Sequence, residues 1–525
     1  MVVDGLVRES EYFDSVTLMM LARQFNLPDK GLEVALVMAT KENLAILERA
    51  SMLIDKFSGR GDSDLLIVVM GKTDKMVATT LEKISLALDQ KRKTSGAVGG
   101  GLEYQPKSLE SGLSVMPAAN LLLISVAGRY AVMEAYDALA HGLNVMLFSD
   151  NISIADEIKL KQEAKKRNLY LMGPDCGTAI IGGVPLAFAN QVSSGSVGIV
   201  AASGTGLQEV SSLISNGGGG ISHAIGTGGR DLKVEVGGIT FLQGLQELID
   251  DPQTKVIVLI SKPAASEVLA KVVKLLEPSL KPVVALFQGA DLNALPFNSD
   301  GCVQIASDLE DCAKLALAAL DLTDGELFSE DKFDPAPMVE KMSCDQKYLR
   351  ALFSGGTFCS ESQLLIGKDL APLFSNTPVG ASSTISDPWQ STQHILLDLG
   401  DDQFTDGRPH PMIDFSIRNQ RIIDEACDPQ TAVVLLDLVL GYGANPDPLS
   451  ELLPVINQAQ QAAKKVGSYL AIICSVTGTD QDPQKRQQVV AALIAAGVVV
   501  APSNARATLQ AAAIITMLNK REGGE

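Results

Sequence analysis

Paired cysteines are missing from this sequence. Its seven cysteines, Cys176, Cys302, Cys312, Cys344, Cys359, Cys427 and Cys474, are scattered, odd in number and form no CxxC. That argues against a disulfide framework and a structural zinc site, and it suits a reducing compartment. Basic charge is also short, with 43 Lys and Arg against 62 Asp and Glu and a formal net charge of −19. A nucleic-acid backbone needs a basic surface, so no nucleic-acid partner is expected. No apolar run reaches the roughly 18 residues that span a bilayer. No basic-plus-apolar leader opens the sequence either. The expectation is a cytoplasmic protein with no membrane partner. Histidine is the scarcest catalytic residue type, limited to His141, His223, His394 and His410.

What is present is globular: 525 residues, 46% hydrophobic and 20% charged. That length exceeds one core and predicts about three domains. Short apolar runs alternate with helical patterns. "LLIVVMG", "LLLISVAG", "NVMLFSD" and "LYLMGPD" read as buried strands, and "AVMEAYDALAHG" and "IADEIKLKQEAKKRN" as helices. This alternation predicts α/β architecture with parallel sheets covered on both faces. The expected segments are a first domain over 1–190, a second α/β unit over 195–325, a linker over 326–345 and a third α/β unit over 346–525. A glycine-rich loop at 94–106 interrupts the first.

The second and third units echo each other. "DDPQTKVIVLISKPA" (250–264) matches "CDPQTAVVLLDLVLG" (427–441), and "GIVAASGTGLQEVSSLI" (198–214) matches "RALFSGGTFCSESQLLI" (350–366). The longer spacing in the third unit predicts an insertion at 374–393. Each copy reads as a strand, a Ser-Gly turn containing Thr, and a helix. A helix N-terminus carries free N–H groups and about half a positive charge, which suits phosphate. The plainer alternative is an ordinary Ser or Thr N-cap. If the two copies pack with pseudo-twofold symmetry, Ser203, Gly204, Thr205 and Gly206 face Ser354, Gly355, Gly356 and Thr357 across one anion.

On these residues the chain resembles the nucleoside-diphosphate-forming acyl-CoA synthetases, of which succinyl-CoA synthetase is the type. Residues 119–179, with the Gly173–Gly177 turn, resemble the end of that family's CoA-binding domain. "SGTGLQE" through "DDPQTKVIVLI" resembles its alpha ligase domain, and the third unit its beta ligase domain. The resemblance implies three doubly wound domains: a Rossmann-like CoA-binding-type domain and two flavodoxin-like ligase-type domains. Nearly the whole chain resembles the FdrA family, through "YFDSVTLM" (12–19), "GPDCGTAI" (173–180), "SHAIGTGGRDL" (222–232) and "LGDDQFTDGRPHPMID" (399–414). Two departures from the synthetases stand out. The segment 288–312, where their phosphohistidine loop belongs, holds no histidine, and there is no segment for an ATP-grasp domain. The N-terminal glycine turn that grips CoA in the synthetases also has no counterpart.

The FdrA resemblance implies a subunit of a transferase complex of the oxamate carbamoyltransferase type, with partner subunits, in allantoin catabolism. There oxalurate and phosphate give oxamate and carbamoyl phosphate. Phosphate or carbamoyl phosphate is then the ligand of the two turns. CoA and Mg²⁺ are further candidate ligands, and a homo-oligomer is expected. The alternatives are a CoA-dependent synthetase working with an ATP-grasp partner, and a non-catalytic metabolite-binding scaffold.

Catalytic candidates follow. Arg230 trails a glycine turn at a strand end, where ligands bind in such sheets. It is read as a bidentate clamp or a surface ion pair. Lys262 also ends a strand and suits direct phosphate binding. His410, braced by Pro409 and Pro411, is the acid–base candidate. It sits in a cluster with Asp398, Asp401, Asp402, Asp406, Arg408 and Asp414, read as a ligand loop, a Mg²⁺ site or a capping loop. Asp231, Arg408, Asp175 and Cys176 are further ligand-binding candidates. Cys176 has the competing reading of a small buried residue. His223, His394 and His141 read as structural.

Overall fold

The computed structural model describes residues 1–9, 11, 13, 15–26, 31–40, 43–44, 47–48, 50–57, 59–61, 64–94, 106–290, 303–322, 328, 332–405 and 409–522. The chain divides into two compact units. One is Met1–Ala118 with Thr405–Pro409, and the other is Ala119–Phe404 with His410–Glu525.

The first unit differs from the parallel layout expected of a 1–190 segment. Strands β1 (Val2–Arg8), β2 (Glu33–Met38) and β3 (Leu65–Gly71) pair in the order β1-β3-β2. Both pairings are antiparallel. "LLIVVMG" is the central strand, as its apolar run suggests. One face packs Ile67 and Val69 against Leu18, Leu21, Ile84 and Leu88. The other packs Leu66 and Val68 against Leu47 and Phe57. Continuous apolarity reports two covered faces. It does not report strand direction, which is why the parallel expectation fails here.

The second unit contains three parallel-based sheets. The smallest, β4 (Leu121–Ile124), β5 (Asn144–Leu147) and β6 (Leu171–Met172), is parallel throughout. A seven-stranded sheet contains β7 (Thr178–Ile181), β8 (Val184–Ala187), β9 (Ser194–Ala202), β10 (Ile221–Gly226), β11 (Val256–Ser261), β12 (Val283–Phe287) and β13 (Val303–Ile305). Its order is β13-β12-β11-β9-β10-β7-β8. A second seven-stranded sheet contains β14 (Tyr348–Phe353), β15 (Leu373–Ser375), β16 (Ser383–Thr384), β17 (His394–Asp398), β18 (Thr431–Val439), β19 (Ala471–Thr477) and β20 (Val499–Ala501). Its order is β16-β15-β17-β14-β18-β19-β20.

Read from opposite ends, the two sheets match strand for strand from β9 and β14 outward. The edges are filled differently. In the first sheet, β7 and β8 precede β9 in the chain, and β7 pairs with β10 antiparallel. In the second, β15 and β16 lie in or beside the expected 374–393 insertion and pair parallel. The insertion therefore supplies strands as well as loop.

Four helices tie the repeats together: α1 (Gly204–Asn216), α2 (Leu309–Ala318), α3 (Gly356–Ile366) and α4 (Asn504–Glu522). α1 starts because Ser203 caps it, its Oγ accepting the Gly206 N–H at 3.1 Å. Leu207, Val210 and Ile214 form its buried stripe. Each repeat then caps a helix of the other. Glu209 of α1 accepts the first N–H of α4, from Asn504, at 3.0 Å. Glu361, at the matching position of α3, accepts the first N–H of α2, from Leu309, at 2.7 Å. Burial pushes the Glu361 carboxyl up to about 8 and also raises Glu209.

The repeats are not separate domains joined by a free linker. One hydrophobic cluster runs from Val197 and Leu207 through Val339 and Met342 to Phe358 and Ile473. The expected 326–345 linker thus docks into the shared core at Val339 and Met342. Arg521 also donates to both of their carbonyls at 3.2 Å.

Candidate functional site

The two Ser-Gly turns meet. Ser203 Oγ and Thr357 Oγ1 are 2.7 Å apart and hydrogen-bonded. A Cβ on Gly355 would come within 2.7 Å of Thr205 Cγ2, so only glycine lets the turns close on each other. A Cβ on Gly356 would run into Asp398 Oδ2 and lie 3.0 Å from Lys262 Nζ. Both side chains therefore hang over the first turn of α3.

The donors divide between structure and site. Gly206 N–H is held by Ser203. Asp437 Oδ1 accepts from Ser354 N at 2.7 Å, and its Oδ2 accepts from Ser354 Oγ at 2.6 Å and Gly355 N at 3.1 Å. Five of the eight residues expected to bind phosphate, Ser203, Gly206, Ser354, Gly355 and, through its hydroxyl, Thr357, thus spend polar groups on building the turns. Among the described residues, no intramolecular bond engages the N–H groups of Gly204, Thr205, Gly356 and Thr357. These are the first two N–H groups of each helix, the ones every α-helix leaves over.

Lys262 makes no hydrogen bond or ion pair among the described residues, though it pulls electrostatically on Asp175 and Asp398. Burial pushes the Asp398 carboxyl up to about 6 against that pull and the Gly400 N–H bond. Asp175 follows the cis Gly173–Pro174 bond at a φ of 54°. Its side chain is exposed to solvent yet closely surrounded by protein atoms. Burial and Asp150 raise its carboxyl to about 6, opposed by Lys262 and Arg230.

His410 is set as a donor. Its Nδ1 accepts the Met412 N–H at 3.2 Å, which leaves the proton of the neutral ring on Nε2. Burial lowers its pKa to about 4. A Cβ on Gly400 would be 2.9 Å from Nε2 and 3.1 Å from the Ser354 carbonyl oxygen, which puts the ring beside the α3 turn. The ring is neutral at pH 7 with its lone pair engaged. That favours hydrogen-bond donation over the proton shuttling expected from sequence.

Other candidates are committed elsewhere. Arg230 pairs with Glu157 at 3.0 Å and donates to the Ile152 carbonyl at 2.9 Å, so it is a braced ion pair and not a free clamp. Asp231 is fully buried, bound by Lys161 Nζ at 2.6 Å and the Phe241 N–H at 2.7 Å. Its role is structural, capping the first turn of the helix Ile239–Asp250. Cys176 is buried, and burial pushes its thiol up to about 12, so it is inert packing. Asp406 and Arg408 lie outside the described residues. Among the described residues, no group of three or more His, Cys, Asp or Glu side chains converges on a metal-sized site. His223 and His394 are structural, each accepting a backbone N–H at 3.1 Å. Sequence reading missed Asp437, whose only signal was an acid inside an otherwise apolar strand.

No helix among the described residues is long and apolar enough to cross a membrane. Residues 352–514 match the CoA-ligase family model and residues 192–289 the CoA-binding domain model. The latter lies downstream of the 1–190 segment, and its range contains the α1 turn. Residues 1–105 match the AllF heavy metal-associated domain model. That segment contains neither Cys nor His, so it offers a heavy metal no thiolate or imidazole.

The alpha 1 subunit of an ADP-forming succinate–CoA ligase from Archaeoglobus fulgidus is 28% identical over 177 residues, covering 33% of this chain and 58% of that subunit. The crystal structure of PH0766 from Pyrococcus horikoshii OT3 is 15% identical with a TM-score of 0.34, covering 81% of this chain and 89% of that one. The Escherichia coli K12 protein YahF, described as uncharacterized, is 39% identical over 514 residues, 97% of this chain and 98% of its own. Identity of that extent, on succinate–CoA-ligase-like CoA-binding and CoA-ligase domains, shows that the chain belongs to the same acyl-CoA-synthetase-like family as YahF.

Proposed function

We propose that this chain is a subunit of a phosphate-dependent acyl or carbamoyl transferase. The FdrA resemblance points to the oxamate carbamoyltransferase type, acting in allantoin catabolism with partner subunits. The observation that carries the reading is the meeting of two helix starts beneath Lys262, which is unpaired among the described residues. Four N–H groups and one ammonium suit a phosphate dianion, and none needs reorganising as charge develops. The absence of histidine from 288–312 supports a substrate phosphate over a protein-carried one.

In this reading phosphate rests on the Gly204, Thr205, Gly356 and Thr357 N–H groups, with Lys262 balancing its charge. A phosphate oxygen attacks the carbamoyl carbon of oxalurate. The carbamoyl C–N bond breaks, and the departing amide nitrogen takes a proton. Asp398 or Asp175, each raised to about 6, passes that proton in this reading. The His410 Nε2–H is a neutral donor for the developing oxyanion. The products are oxamate and carbamoyl phosphate.

The test is turnover of oxalurate by the purified chain, with and without co-expressed partner subunits, as phosphate is varied. Turnover that rises and saturates with phosphate is expected. Turnover independent of phosphate would falsify the mechanism. A CoA-dependent synthetase is the second reading, favoured by the matches at 192–289 and 352–514. Tight CoA binding together with phosphate-independent turnover would select it.

A further inference from the structure

We propose that Gln288 and Ser360 form a second subsite, directly behind Lys262, that takes a primary carboxamide. This rests on the reading of the two turns as the reaction centre and adds what lies next to the phosphate. Gln288 donates its backbone N–H to the Ser261 carbonyl at 2.9 Å, which continues the β11–β12 register and stands it beside Lys262.

Alternation fixes the face. On β11, Val256, Val258 and Ile260 enter the core shared with α1 and α3, while Ile257 and Leu259 enter the opposite cluster. On β12, Val284 and Leu286 enter the shared core, and Ala285 and Phe287 the opposite one. Lys262 and Gln288 come two residues after Ile260 and Leu286, so both lie on the side of α1 and α3.

α3 crosses this face along one stripe. Its Gly356 end lies by Lys262 Nζ, and two turns on, Leu364 lies 3.9 Å from where a Gly289 Cβ would be. Ser360 falls midway on the same stripe, at i+4 from each.

Among the described residues these groups are buried and unpaired: Gln288 is 4% exposed with neither amide atom hydrogen-bonded, and Ser360 is 5% exposed with its Oγ unbonded. Each unpaired buried polar group costs about 1–3 kcal/mol. Ser360 on that stripe and Gln288 beside Lys262 are two such residues, and a ligand that bonded both would remove that cost.

The chemistry selects its class. A side-chain amide offers a donor and an acceptor side by side. A primary carboxamide answers both in a planar two-bond ring, with Ser360 free to bond its remaining edge. A carboxylate only accepts, and it would set an oxygen against Gln288 Oε1. A carboxamide held here brings its carbonyl carbon toward the phosphate over the turns.

The test uses the full chain and isothermal titration with two probes. Malonamate carries one carboxamide and one carboxylate, and malonate carries two carboxylates. Each is titrated with and without inorganic phosphate. Wild type is expected to favour malonamate by about tenfold, and Gln288→Leu to bind malonamate about tenfold more weakly. Phosphate affinity in Gln288→Leu should stay within about twofold of wild type. Its ligand-free Tm should be equal or higher, because two unpaired atoms are gone. Unchanged malonamate binding in Gln288→Leu, or no preference over malonate in wild type, overturns the proposal. If Gln288→Leu folds poorly, Ser360→Ala decides: a loss of at least about threefold supports the subsite, and no loss overturns it. If wild type binds malonamate but not phosphate, the phosphate reading fails while the subsite stands.

Discussion

The two helix starts at the centre of this molecule have the same sequence origin and opposite surroundings. Ser261 lies opposite Ala202, the residue before the α1 turn. Asp437, one step beyond the Leu352–Leu436 pair, holds the matching place before the α3 turn. On the other flank, Asp398 lies opposite Phe353, where the first repeat places Thr227, one beyond the Gly226–Ala201 pair. Neutral hydroxyls thus flank the α1 turn, while carboxylates flank the α3 turn. Lys262 follows Ser261, where the second repeat has Leu438. Duplication supplied two helix starts, each leaving two N–H groups unengaged among the described residues, and divergence gave one carboxylate flanks and the other hydroxyl flanks. The lesson is that a repeated turn need not keep repeated surroundings.

The largest effect that tests this contrast is on folding. Asp437→Ala strands the buried Arg418, which donates to the Asp437 carbonyl at 2.7 Å and faces its carboxylate at 3.6 Å. It also frees two backbone N–H groups of the α3 turn. We expect a loss of about 3–5 kcal/mol in urea unfolding. Ser261→Ala, its counterpart, should cost less than about 1 kcal/mol. Equal losses would show that the two turns are braced alike.

Next comes Lys262→Met, which leaves folding intact because Lys262 makes no hydrogen bond or ion pair among the described residues. Phosphate-dependent turnover should fall by about 10²–10³-fold with little change in Tm. Activity within a few-fold of wild type would remove Lys262 from the site.

The smallest effect is on pH. A carboxyl raised to about 6 carries its negative charge above that pH and repels an anion over the turns. Phosphate affinity measured by titration should therefore strengthen as pH falls from 7.5 through 6. Asp398→Asn should flatten that slope and strengthen binding at pH 7.5. A slope unchanged by Asp398→Asn would assign it to Asp175.

Much of this was legible in the residues. The Asp-Pro-Gln-Thr and Ser-Gly-Thr echoes placed both repeats, and their strands and helices lie where the patterns put them. Lys262 was visible as a charge at the end of an apolar strand. The rest depended on which partner each group finds in the folded chain. The motif "GTGGRDL" could not reveal that Lys161 holds Asp231 and Glu157 holds Arg230. Nor could a histidine between prolines reveal that Met412 takes its Nδ1 lone pair. Strand direction in the first unit was likewise hidden, because burial on two faces looks the same in either direction.

By itself the sequence determined the local elements, the duplication and the chemistry available at each strand end. Those follow from periodicity, turn residues and residue type, which act over a few neighbours. Only tertiary structure decided which donors stay free. Packing α1 against α3 closed the turns through Ser203 and Thr357, and burial moved Asp398 and His410 from their ordinary pKa values. Desolvation and many hydrogen-bond partnerships are set by contacts between residues distant in sequence, such as the 154 positions that separate Ser203 from Thr357.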